Sequence, residues 1–404
     1  MNCKLIFLSL LFLTVTPCLR AQKKEIAQAR SYIKSGKDLN KAEDILVKLL
    51  ENPDNRLDKK IYLLWLQAVE KQYAMGNEKL YLKEKYDTAA LFNQAYRMLD
   101  IAERLDSIDA MPNSKGVVKP HYRKKHCEMM MRLRPNIYFG GLYFTRKGDY
   151  MQGFKFLEAY LQCHNQPLFN SALTESNDQH FTSAAYWATF CGYKSNDSIR
   201  ILKYAEVAMR DSSRIEYTLQ YMAEAYAMLA DTVNYSLTLN KGFKLFPEHL
   251  YFFPRLIEFY NHYGYADKAE NLINRALEVN DSNQLFLFAK STFLLNQGHY
   301  DQCIKTTEQL IAINDSVAEA YFNIATAYLN KLLVLENKPN EKKDKKTIIE
   351  LYQKACSYME TFRKMAPEEE DKWAAPLYRI YLNLNKGKEF EEIDRLLQKN
   401  KKNS

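Results

Sequence analysis

A self-similarity of 34 residues runs through the middle of the chain, and it limits the fold more than any other feature. Its clearest copy spans Leu250 to Asn283. Phe253, Leu256, Ile257 and Tyr260 lie on one face of a first helix, Gly264 marks a turn, and Ala266, Ala269, Ile273, Ala276 and Leu277 follow on a second helix. One period later the same places hold Ser291, Leu294, Gly298, Tyr300, Cys303, Thr307, Leu310 and Ile311. One period earlier, Met222, Ala223 and Tyr226 precede Phe243 and Pro247. Each copy therefore predicts two amphipathic helices joined by a tight turn. Such a hairpin cannot bury its own apolar face, so copies must stack. The small residues let paired helices approach to about 8–10 Å, and the many aromatics, 29 Tyr and 21 Phe, read mainly as the large side chains between them.

These residues resemble the tetratricopeptide repeat family. Ala223, Tyr226 and Pro247 match its small, aromatic and closing positions in one copy, as do Tyr260, Gly264, Ala269 and Ala276 in the next and Ala325 and Tyr328 in a later one. The resemblance implies an all-α chain wound as a right-handed superhelix, a solenoid of helix-turn-helix repeats. It covers the chain beyond the leader at the level of architecture. The expected organisation is a signal peptide at 1–21, degenerate N-terminal hairpins at 22–110, a linker at 111–120, and a repeat array at 121–404. Within the array, loops are inserted at about 167–178 and 336–346, and a polar helix pair caps the C-terminal end.

The leader carries Lys4, an apolar run from Leu5 to Val15, and Leu19-Arg20-Ala21 as a cleavage site. The run is shorter than the ~20 residues that span a bilayer. Secretion across the inner membrane to the periplasm is expected. A lipid-anchored form through Cys18 is the lesser alternative, because Pro17 occupies the place where lipidation favours a small residue. The formal net charge of +8 is mild and concentrates in Lys-rich stretches at 338–346 and 399–402, so no nucleic-acid partner is expected. Five cysteines follow the leader, Cys127, Cys163, Cys191, Cys303 and Cys356; their spacing suggests buried thiols, with Cys163 and Cys191 as the one pair able to oxidise.

No HExxH, GxxxxGK, GxSxG or CxxC motif occurs, and His121, His126, Cys127, Cys163 and His164 lack metal-ligand spacing. We therefore expect no enzyme, no catalytic residues, no metal and no cofactor. Binding is the expected activity. In the family that the repeats resemble, the inner groove is lined by five places of each first helix. Carried onto this sequence, they point to Tyr138, Arg146, Tyr186, Phe190, Tyr193, Tyr217 and Glu224, then Tyr251, Glu258, Asn261, Phe288, Asn296, Phe322 and Asn330. Aromatic faces interleaved with amides and carboxylates suit a protein or peptide partner. The function expected is an exported scaffold in cell-envelope assembly, with peripheral association with the envelope. The alternative is a glycan-binding helical-repeat protein of a nutrient-uptake system.

Overall fold

A computed structural model describes residues 22–337 and 345–403. The leader at 1–21 and most of the expected loop at 336–346 lie outside the described residues. Among the described residues there are 18 α-helices and no strands. In chain order they are α1 (22–35), α2 (Leu39–Glu51), α3 (Lys59–Tyr81), α4 (Thr88–Asp109), α5 (Arg123–Arg146), α6 (Tyr150–Gln162), α7 (Phe181–Lys194), α8 (Ser198–Ala208) and α9 (Ile215–Met228). There follow α10 (Thr232–Leu245), α11 (Phe252–His262), α12 (Ala266–Val279), α13 (Gln284–Asn296), α14 (Tyr300–Ile313), α15 (Ala318–Glu336), α16 (Lys345–Met365), α17 (Glu370–Asn383) and α18 (Gly387–Asn403). The chain is an all-α helical-repeat protein.

The repeat is written in the backbone as well as in the side chains. Asn196, Ala230, Gly264 and Gly298, successive residues one period apart, all take left-handed φ between helices of a hairpin, at 56°, 53°, 69° and 77°. The residue after each one donates its amide back into the last turn of the finished helix, as in Tyr265 to Tyr260 (2.8 Å) and His299 to Leu294 (2.9 Å). This is the Schellman closure, which satisfies carbonyls left over at a helix end and reverses the chain in a few residues. In the first unit α4, α6 and α8 start on a carboxylate, with Asp87, Asp149 and Asp197 accepting from backbone amides at 2.9, 3.1 and 3.0 Å, whereas α12 and α14 start on Tyr265 and His299 with no side-chain cap.

The described residues form two compact units that divide between residues 241 and 242. In the first, α3 to α8 bury one apolar core that includes Leu66, Leu105, Ile137, Phe156, Ala188 and Ile201. The expected linker at 111–120 is an irregular connection around an Asn113 turn. It joins α4 to α5, whose buried faces share that core, and the units divide instead at 241/242. The segment 167–178 connects α6 to α7 and packs inward. Leu168, Phe169 and Leu173 are buried, and Asp178 is tied to Arg134 on α5 and Tyr160 on α6. In the second unit, α15 to α18 close around Tyr352, Met359, Phe362, Leu377 and Tyr381, with α17 and α18 as the expected terminal pair.

Candidate functional site

The residues expected to line a groove divide by unit. In the first unit they lie on α5, α7 and α9 and are largely spent on one another. Tyr193 stacks on Tyr221 with centroids 4.5 Å apart, and Phe190 and Tyr186 approach the same ring at 6.0 and 6.2 Å. Tyr138 is buried, stacked on His180 at 4.4 Å, with its hydroxyl 3.0 Å from Ser183. Arg214 lies over Tyr186 at 4.7 Å and donates to Ser183. Burial, followed by a hydrogen bond with the neighbouring Tyr186, drives the Tyr221 phenol far above its ordinary value. Arg146 and Tyr217 are exposed and Glu224 is half-buried. In this unit an aromatic cluster thus joins α7 to α9.

The second unit differs. Glu258, Asn261, Phe288 and Asn296 come together on the wall of a cavity of about 740 Å³ bounded by α11, α12 and α13. Its sides are apolar, from Pro254, Ile257, Ile273, Phe288 and Phe293, and its mouth is polar, from Glu258, Asn261, His262, Asn296 and Gln297. One end is shut where α11 meets α13 through Phe253 and Phe286, with ring centroids 4.7 Å apart. Tyr251 is buried beside this end, at 5.3 Å from Phe252. Phe322 and Asn330 are half-buried on α15, outside the cavity, where Phe322 packs on Phe362.

The next step of the stack fills the equivalent places differently. Between α13 and α15, Asn323 is buried and donates to Ser291 (3.1 Å) and Thr292 (3.0 Å), while Ser291 meets Thr307 at 2.8 Å. One period earlier the places of Asn323, Ser291 and Thr307 hold Ala289, Ile257 and Ile273, all of them on the cavity wall. The place that amide and hydroxyl groups bridge by hydrogen bonds in one step is thus an apolar wall in the preceding one. An apolar recess with a few polar groups at its mouth is the ordinary form of a ligand pocket, and this volume lies within the usual range of about 300–1,000 Å³.

A second recess of about 1150 Å³ lies in the first unit between α2, α3 and α4. Its floor is the buried Glu43, which accepts from Trp65 (3.1 Å) and Gln72 (3.0 Å) and pairs with Arg97 (3.1 Å). With its carboxylate satisfied by three donors, Glu43 is arranged for structure. Nearby on α4, burial and then the Asp100 charge push Glu103 up to about 7.

Among the described residues, no group of three or more His, Cys, Asp or Glu is placed to hold a metal ion. His164 bonds Asp178 at 2.8 Å, and burial lowers the basicity of His126. The five described cysteines are free thiols, and the pairing allowed for Cys163 and Cys191 is not formed. Cys163 donates to the Ala159 carbonyl, and Cys191 lies 3.1 Å from the Thr145 hydroxyl. Burial pushes Cys163 up to about 12 and Cys191 to about 11.

No protein-family model matches the sequence, and no curated protein matches it. Solved structures do. YrrB, a TPR protein with an unusual peptide-binding site, is 16% identical over 50% of this chain and 94% of its own, at a TM-score of 0.36. Yeast Tom70 is 13% identical over 94% of this chain and 84% of its own, at 0.35. A tetratricopeptide repeat protein from Parabacteroides merdae is 15% identical over 65% of this chain and 98% of its own, at 0.36. At these values the likeness is one of helical hairpins alone.

The cavity was only partly visible in the sequence. Four of the named groove residues reach it, but Ile257 and Ile273 read as hairpin core and Ala289 carried no mark. The available signal was the change from Ser291, Thr307 and Asn323 to Ile257, Ile273 and Ala289 at one repeat spacing.

Proposed function

We propose that this chain is a non-catalytic scaffold whose second unit binds a protein or peptide partner by accepting an apolar side chain into the cavity between α11 and α13. The observation that carries the reading is the coincidence of Glu258, Asn261, Phe288 and Asn296 with the wall of that recess. A recess of this size takes one bulky apolar anchor, and burial of such an anchor in a desolvated pocket is what concentrates binding energy in a few residues. The amides of Asn261, Asn296 and Gln297 at the mouth suit the flanking backbone of a peptide. Export to the periplasm and a part in envelope assembly belong to the same proposal and rest on the leader sequence; N-terminal sequencing of the protein recovered from the periplasm tests the export. The glycan reading has less support, because Trp373 is buried and Trp65 and Trp187 are half-buried and engaged with neighbours.

The test is site-specific photo-crosslinking in cells from Phe288 and Asn296, with exposed Gln309 on α14 as control. A discrete adduct from the first two sites, lost when Ile257→Trp fills the recess, is the expected result. Equal capture from Gln309, or capture indifferent to Ile257→Trp in a protein of unchanged circular dichroism, refutes the reading.

A further inference from the structure

One wall of the cavity carries an acceptor without the donor that the next repeat supplies. In the step from α13 to α15, Thr292 accepts from the side-chain amide of Asn323 at 3.0 Å. One period earlier those two places hold Glu258 on α11 and Ala289 on α13, and both line the recess. The methyl group of Ala289 has nothing to donate. Glu258 is exposed, and among the described residues no hydrogen bond or ion pair engages it. A carboxylate thus stands one residue after Ile257, at the edge of an apolar wall.

No cation of α11 to α13 takes the donor's place. Arg255, Lys268 and Arg275 lie over the rings of Tyr251, Tyr265 and Phe243, at 3.8, 4.4 and 5.7 Å from their centroids. Lys290 donates to Asn274 at 2.6 Å, and none of these four lines the recess. The acids Asp267, Glu270 and Glu278 of α12, and Asp281 beyond it, are exposed and do not line it either. Outside the recess these charges balance. Its own lining holds one carboxylate, Glu258, and one imidazole, His262, with no Lys or Arg.

We propose that Glu258 selects the partner by charge: the apolar side chain that enters the recess stands beside a Lys or Arg on the same segment, and Glu258 accepts from that cation. This rests on the anchor reading given above and adds the charge of the anchor's neighbour to it. A cationic neighbour supplies the donor that Asn323 supplies one step on. The methylene stem of a Lys or Arg can lie along the apolar wall while its charged end reaches the carboxylate. An Asp or Glu neighbour would bring like charges together, which is how a rim charge suppresses wrong partners.

The experiment compares three probes that share an indole ring and differ in the charge at the end of the side chain: tryptamine, tryptophol and indole-3-propionate. Ligand-observed NMR titrations of the purified protein measure their affinities. Tryptamine is expected to bind about threefold more tightly than tryptophol, the scale of an exposed ion pair, with indole-3-propionate weakest and the spread shrinking as salt rises. Glu258→Gln is expected to erase the preference for tryptamine, and Glu258→Lys to put indole-3-propionate first. Glu270→Gln, an exposed acid outside the recess, is expected to keep the parental order. Equal affinity for the three probes, a tryptamine preference that survives Glu258→Gln, or an equal loss of it in Glu270→Gln overturns the charge selection and leaves the recess as an anchor site. Absence of binding by all three probes, or binding that persists in Ile257→Trp, overturns the anchor reading and this inference with it.

Discussion

Asp178 sits at the end of the insertion between α6 and α7, and its replacement by Asn is the most demanding test of how this unit is held together. The carboxylate accepts from Arg134, from the Tyr160 hydroxyl, from His164 at 2.8 Å and from the His180 amide at 3.1 Å. Burial by itself would push Asp178 up, but the bonds from Arg134, Tyr160 and His164 outweigh it and hold the acid below the usual carboxylate range. Arg134 is buried, with its guanidinium 3.6 Å from the Tyr160 ring centroid and its Nε without a partner. Asp178→Asn therefore strands a cation where water cannot reach it, and loss of one member of a buried pair costs about 3–5 kcal/mol. Asp178→Asn/Arg134→Met removes both charges and should recover about half or more of that loss, because apolar replacement of a whole buried pair is often neutral. Urea denaturation followed by circular dichroism measures both, with limited proteolysis at 167–178 as a local readout. The stability that Asp178 supplies is present above its unfolded pKa of about 3.9 and is lost as pH falls through the lower folded value. A cost under about 1 kcal/mol for Asp178→Asn, or a double variant as unstable as the sum of the singles, would refute the argument.

Ala230 holds a left-handed φ of 53° where the next two repeats use glycine, so Ala230→Gly should raise stability by up to about 1 kcal/mol in thermal unfolding. Gly192→Ala would place a Cβ 2.6 Å from the backbone nitrogen of Ile201, which cannot yield without moving α8; a loss of about 1–3 kcal/mol is expected on urea titration. Glu103, raised to about 7 by burial and Asp100, stabilises the fold in its neutral form, and that contribution disappears as pH rises from the unfolded value through 7. Glu103→Gln should therefore be more stable than the parent at pH 8 by roughly 1–3 kcal/mol and indistinguishable near pH 4, as melting curves at the two pH values would show. Iodoacetamide at pH 8 should label half-buried Cys127 first among the five thiols, with Cys163 and Cys191 modified only on unfolding, as mass spectrometry of timed samples reports.

The hairpins were legible because small residues, apolar steps and turn residues recur in phase, and a period of 34 leaves few other folds. The insertion was legible as a departure from the period, but its packing was not. Leu168, Phe169 and Leu173 are buried, and their burial brings Asp178 inward. Groove positions were legible as one helical face, but register does not say how closely the next hairpin covers that face. It covers Tyr138, Tyr186 and Tyr251 and leaves Glu258, Asn261 and Asn296 exposed. The wall beside Phe288 differs from the next step in polarity, and that change shows in sequence only when two repeats are compared place by place.

The bonded set Ser291, Thr307 and Asn323 has a consequence for the gene. Excision of residues 284–317, a deletion of one whole repeat, would set α15 directly after α12, where Asn323 would meet Ile257 and Ile273 in place of hydroxyls. A buried amide with no acceptor is heavily penalised. The array can therefore lose this unit only if the amide changes in the same event, so deletion here is limited by polarity as well as by length.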